Sequence, residues 1–146
     1  MHDPYNLDRF VTAQEGGGTY DQALAELRRG NKTGHWMWFI FPQISGLGQS
    51  PTSRLYAIGS LAEARAYLKH GLLGPRLLEC AGAVAAHAGR PATDILGGID
   101  ARKLHSSMTL FLRAAPEESV FQEVLDGFFD GQPDAATESL LLSGGD

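Results

Sequence analysis

The sequence predicts an all-α protein. Apolar residues recur at three- and four-residue spacing, and helix start and stop signals punctuate the chain at short intervals. No stretch sustains the period-two alternation, bounded by turns, that a strand would need. The expected architecture is a single compact domain over residues 1–146, made of about seven or eight short helices.

The first helix is expected from near Asn6, with Leu7, Phe10, Val11 and Gln14 at helical spacing, and Gly16-Gly17-Gly18 ends it. Thr19 is the expected N-cap of a second helix, whose apolar stripe is Tyr20, Ala23, Leu24 and Leu27. Gly30 and Gly34 bracket its exit, and Pro42 with the Gly46–Pro51 stretch marks a loop after an aromatic run. Ser60-Leu61-Ala62-Glu63 reads as a capping box opening a helix to about His70. Pro75 suits the first position of a long Ala-rich helix to about His87, with Gly89 beyond its end. A short turn or helix is expected at Thr93–Leu96, then a helix from about Asp100 to Arg113, stopped by Ala114-Ala115-Pro116. Glu117 and Glu118 favour the next start through the helix dipole, and Val120, Phe121, Val124, Leu125 and Phe128 give that helix a wide apolar face. Thr137 and Leu140–Leu142 suggest a last short helix.

Composition narrows the function classes. With 43% hydrophobic and 20% charged residues, the chain can bury a core rather than stay disordered. A net charge of −5 argues against general nucleic-acid binding, which needs a surplus of Lys and Arg on at least one face. The longest apolar run, Trp36–Phe41, falls far short of the roughly 20 residues of a membrane span. The first residues carry no charged stretch followed by an apolar run, so the expected compartment is the cytoplasm. One cysteine, Cys80, allows no disulfide within the chain.

Most familiar chemistries lack their residues. The glycine pairs and triplets have neither a preceding strand nor a phosphate-loop Lys-Ser/Thr, and no Gly-x-Ser-x-Gly elbow occurs. The histidines show no shared metal spacing, so no metal and no cofactor is expected. Cys80 has no cation within the following turn and reads as an inert buried thiol.

Two segments stand above this background. The run His35-Trp36-Met37-Trp38-Phe39-Ile40-Phe41-Pro42-Gln43 holds both tryptophans, beside the basic Arg28-Arg29-Gly30-Asn31-Lys32. Aromatic rings next to cations suit stacking on a ring and pairing with phosphate, although the same residues could simply fill a core beside a solvated helix end. In the second segment, Asp100–Phe111, the buried stripe would be Leu104, Met108, Phe111 and Leu112. Asp100, Lys103 and Ser107 fall on one flank of that stripe, within about 60° of arc. That flank could face a cleft, where a Lys can act as base or nucleophile, or be an ordinary surface network.

Several stretches recur together in a known family: Asp3-Pro-Tyr-Asn-Leu-Asp-Arg-Phe10-Val-x-Ala-Gln14, the Gly34–Gln43 run, Gly46-Leu-Gly48-x-Ser50, Tyr56-Ala-Ile58 and Lys103-Leu-x-Ser-Ser-Met-Thr-Leu-Phe111. In that order they resemble the bacterial family catalogued as domain of unknown function 1810, labelled calpastatin in some genomes. The resemblance spans nearly the whole chain and implies an all-α fold of seven or eight helices, with no established activity and hence no catalytic residue to carry over. Asn31 departs from the basic residue expected there. Fewer positions, an early helical Gln, the aromatic stretch and a Lys- and Met-containing helix, are similar to a family that removes ADP-ribose from guanine bases. That similarity implies a ligand class only.

The expected function is binding, or metal-free N-glycosidic or phosphoester hydrolysis, of a small phosphorylated ring-containing ligand of nucleotide or ADP-ribose type. Trp36 or Trp38 would stack the ring, with His35 alongside, and Arg28 or Lys32 would pair phosphate. Gln14, Gln43 and Ser107 would orient the ligand, and Lys103 with Asp100 would handle protons. The competing class is a non-catalytic interaction module, a homo-oligomer built on the same aromatics.

Overall fold

The computed structural model describes residues 3–143. Among the described residues ten α-helical segments follow one another: α1 Asp8–Glu15, α2 Thr19–Arg29, α3 Met37–Ile40, α4 Pro51–Leu55, α5 Leu61–Lys69, α6 Leu73–Ala85, α7 Ala92–Leu96, α8 Gly98–Ala114, α9 Ser119–Phe128 and α10 Ala135–Ser143. A 3-10 turn at Gly16–Gly18 joins α1 to α2. Among the described residues no strand forms; the nearest thing is an isolated parallel bridge between Ile44 and Ile58.

The eight expected helices are all present, and α3 and α4 are one-turn additions within segments read as aromatic run and loop. The α4 turn has its own sequence logic: Ser50 Oγ accepts from Ser53 N–H at 3.1 Å, and Pro51 takes the first helical position. Three expected boundaries shift. Thr19 is not the N-cap of α2; Gly18, with φ +72°, takes that place, while the Thr19 hydroxyl donates back to the Gly16 carbonyl. Pro75 is the third residue of α6 rather than its first, where its missing N–H still costs nothing because the first turn has no internal acceptors. The His70 Nδ1 accepts from the N–H groups of Leu72 and Leu73 at 3.1 and 3.2 Å and caps that start instead. The capping box of α5 forms in half: Ser60 Oγ accepts from Glu63 N–H, but Glu63 turns its carboxylate to the Gly59 N–H and to Arg9.

The buried apolar residues make one contiguous cluster. Its aromatic spine runs from α1 to α9: Phe10 meets Tyr67 edge-on at 5.1 Å, Tyr67 meets Phe111 at 5.4 Å, and Phe111 meets Phe121 at 5.9 Å. Helix α6 packs against α2, α5 and α9, and α8 packs against α5, α7, α9 and α10. These two long helices frame the core. The α5–α6 corner is tight at Gly74, where a Cβ would stand 2.1 Å from the Leu68 carbonyl oxygen.

Arg9 fastens the α4 end of the molecule. Its guanidinium donates to the carbonyls of Tyr5, Asn6, Leu55 and Ala57 and pairs with Glu63 at 2.9 Å. No helix among the described residues is long and apolar enough to cross a membrane.

Candidate functional site

The exit of α2 sets the site. Gly30, at φ +75°, turns the chain out of the helix, and the Asn31 N–H reaches back to the Glu26 carbonyl at 3.1 Å, which satisfies the helix end. Two residues on, Lys32 N–H donates to the Ile95 carbonyl of α7 at 2.8 Å. That bond lays the 31–36 segment beside the start of α8.

Glu26 organises the segment from below. It is 2% exposed, and its carboxylate accepts from the N–H of Thr33 and Gly34, the Trp36 indole N–H and the Gln22 amide, all within 2.8–3.0 Å. Burial pushes its carboxyl up, but these four donors outweigh burial and hold it at about 2. The carboxylate therefore stays charged and takes up the indole N–H that a buried tryptophan must place. Sequence reasoning missed Glu26. The signal was there: a carboxylate in the last turn of a helix opposes the dipole and needs a local reason.

Above this support three ionisable side chains converge. Lys32 Nζ lies 2.8 Å from Asp100 Oδ2, and Lys103 Nζ lies 3.5 Å from Asp100 Oδ1. Each ammonium also covers an indole: Lys32 lies 4.9 Å from the Trp36 ring centroid and Lys103 lies 4.2 Å from that of Trp38. All three side chains are largely but not wholly buried, at 8%, 19% and 17% exposure for Lys32, Asp100 and Lys103. Two ammonium groups share one carboxylate, and neither has a second carboxylate within ion-pair reach among the described residues.

Trp38, half-buried on α3, links the cluster to a crevice of about 20 Å³. The crevice is lined by Gln43, Ser45, Gly46, Gly48, Ser53 and Arg54 as well as by Trp38 itself. That volume admits a group about the size of a water. Gly48 is required there, because a Cβ would come within 2.4 Å of the Ser53 Cβ.

The structure thus brings together Lys32, Trp36, Trp38, Asp100 and Lys103, and places Gln43 on the Trp38 crevice. The other candidates lie differently. Trp36 is 1% exposed, so its ring supports Lys32 from inside and offers no open face for stacking. Arg28 reaches Glu79 of α6 at 3.4 Å and joins none of the cluster's contacts. Gln14 is a core residue: its amide donates to the Phe39 carbonyl and to the Tyr67 hydroxyl, and its oxygen accepts from Arg76. His35 is exposed. Ser107 is fully buried with its Oγ unpaired, because α8 is covered on every side from Ser106 to Phe111 and leaves no open flank there. Among the described residues no group of three His, Cys, Asp or Glu side chains is placed to hold a metal ion.

Comparison with known proteins places the chain in a family. No curated protein matches the chain. Among solved structures, the crystal structure of the conserved hypothetical protein Rv1873 from Mycobacterium tuberculosis is similar, with a TM-score of 0.92 and 50% sequence identity over 96% of this chain and 99% of that one. A family model described as a protein of unknown function, DUF1810, matches residues 4–141, nearly the full length, and the chain belongs to that family.

Proposed function

We propose that this protein binds a small phosphorylated, ring-bearing ligand of nucleotide or ADP-ribose type across Lys103, Lys32 and Trp38. The observation that carries the reading is the shared carboxylate: Asp100 is the one carboxylate within ion-pair reach of both ammonium groups among the described residues. An incoming phosphate meets both ammonium groups with charge-assisted hydrogen bonds. Trp38 supplies a partly open indole beside those cations, and the crevice it lines offers Gln43, Ser53 and Arg54 to a polar substituent of the ring.

Turnover on this set would be hydrolysis of an N-glycosidic or phosphoester bond. Lys103 meets the charge that develops on the leaving group and can supply its proton, while Asp100 keeps both lysines in place.

A thermal-shift screen with ADP-ribose, NAD and mononucleotides tests the reading. A ligand at 100-fold over its dissociation constant adds about 2.7 kcal/mol. Lys103→Met and Trp38→Leu remove that gain, whereas Arg28→Ala keeps it. No shift with any of these ligands rejects the proposal. Sedimentation of the same variants covers the competing class: if Trp38→Leu alters self-association and never a ligand response, an interaction module replaces a ligand-binding domain.

A further inference from the structure

A second site lies away from the lysine cluster, in a groove of about 350 Å³ between α5 and the connection from α8 to α9. Its floor is apolar, formed by Leu68, Leu78 and the Ala114-Ala115 pair. Arg65 and Lys69 stand on the α5 side, and Glu117 and Glu118 stand on the other. Among the described residues none of these four charges belongs to an ion pair or a side-chain hydrogen bond.

All four stand on the rim: Arg65, Lys69 and Glu117 are exposed and Glu118 is half-buried. Arg65 and Lys69 are four residues apart on one helix, so their like charges face each other across a single turn, an arrangement that disfavours the helix unless an anion intervenes. Glu117 and Glu118 gather negative charge on the opposite edge, at the N-terminal end of α9. Opposite charges border the same apolar floor yet lie beyond ion-pair reach of each other. A ligand that carries both signs, separated by an apolar body, pairs with both edges at once and covers the floor. The volume lies at the small end of the range for ligand sites.

We infer that this groove binds a zwitterionic apolar ligand of dipeptide size, its carboxylate on Arg65 and Lys69 and its ammonium on Glu117 and Glu118. The site is independent of the lysine cluster, so neither proposal stands or falls with the other.

Leucyl-leucine is the probe, titrated into the full chain and followed by amide chemical shifts. Saturable shifts at Leu68, Lys69, Ala115 and Glu118 are expected, with those of Lys32 and Lys103 unmoved. N-acetylation or C-amidation of the dipeptide weakens binding by about tenfold each, because each removes one charge-assisted contact. The Lys69→Glu variant loses the free dipeptide, and its amide spectrum confirms that the surface change leaves the fold intact. Equal binding of the doubly blocked dipeptide overturns the proposal, as does the absence of saturable shifts. Concentration-dependent broadening confined to the groove without ligand would assign it to a second copy of the chain, and would overturn it too.

Discussion

The Trp36 indole N–H donates to Glu26 Oε1 at 3.0 Å, between two side chains that are 1% and 2% exposed. The pair is the hinge pin of the 31–36 segment, because the same carboxylate oxygen also accepts from the Thr33 and Gly34 N–H groups. Glu26→Ala strands the buried indole N–H, takes the acceptor from the Thr33 and Gly34 N–H groups, and is expected to cost about 3 kcal/mol in urea unfolding. A cost below about 1 kcal/mol would remove Glu26 from this role.

The same carboxylate predicts a pH dependence. Its pKa falls from 4.5 to about 2 on folding, so the unfolded chain binds the proton first. Its contribution is complete above about pH 4.5 and fades as pH drops through about 2, an acid loss of the order of 3 kcal/mol. Asp3, also held down by the Leu7 and Asp8 N–H groups, adds to the acid sensitivity of any variant that keeps it. The difference between wild type and Glu26→Gln across that window isolates Glu26. Parallel acid curves for the two proteins would contradict the assignment.

Gln14 predicts a coupled loss. Its side chain joins the Phe39 carbonyl of α3, Tyr67 of α5 and Arg76 of α6 to α1. Gln14→Leu keeps the volume and removes every partner, so about 2 kcal/mol of stability should go, with slower-protected amides in α3 exchanging first. An unchanged exchange pattern in α3 would show that the Phe39 contact is idle.

Gly74 should tolerate no side chain. Gly74→Ala drives a methyl to 2.1 Å from the Leu68 carbonyl oxygen, a backbone atom that cannot swing away. The α5–α6 corner must open, at a cost of about 2–3 kcal/mol by denaturant titration. Gly82, with open space around its Cβ position, is the control: Gly82→Ala lies in the last turn of α6 and should stabilise by up to about 1 kcal/mol.

Cys80 should be silent until the protein unfolds. Burial pushes its thiol up to about 12, so at pH 8 only about one molecule in ten thousand carries the reactive thiolate. A thiol reagent should label Cys80 at the rate of global unfolding. Rapid labelling of the folded protein would place the residue at a surface.

Legibility in the sequence followed the range of the interaction. A helix with a side-chain cap, such as α5, or with a wide face to bury, such as α9, was readable because spacing and capping act within a few residues. Pro75 misled on the start of α6, because the His70 ring caps the helix two residues before the proline. The one-turn α3 and α4 were invisible to periodicity, being too short to show it. At the site, Asp100 and Lys103 were neighbours on one helix and could be paired by arithmetic. The partnership of Lys32 with Asp100 could not, for nothing local connects residues so far apart in the chain.

Local chemistry was therefore enough to establish helices and their approximate ends, and the stretches from Asp3 to Phe111 carried the family resemblance that the match over residues 4–141 bears out. Only the packed molecule could tell the two tryptophans apart, sealing Trp36 onto Glu26 and leaving Trp38 half open beneath Lys103. Burial is a property of what surrounds a side chain in space, and those surroundings come from α2, α7 and α8, which meet only when the chain has folded.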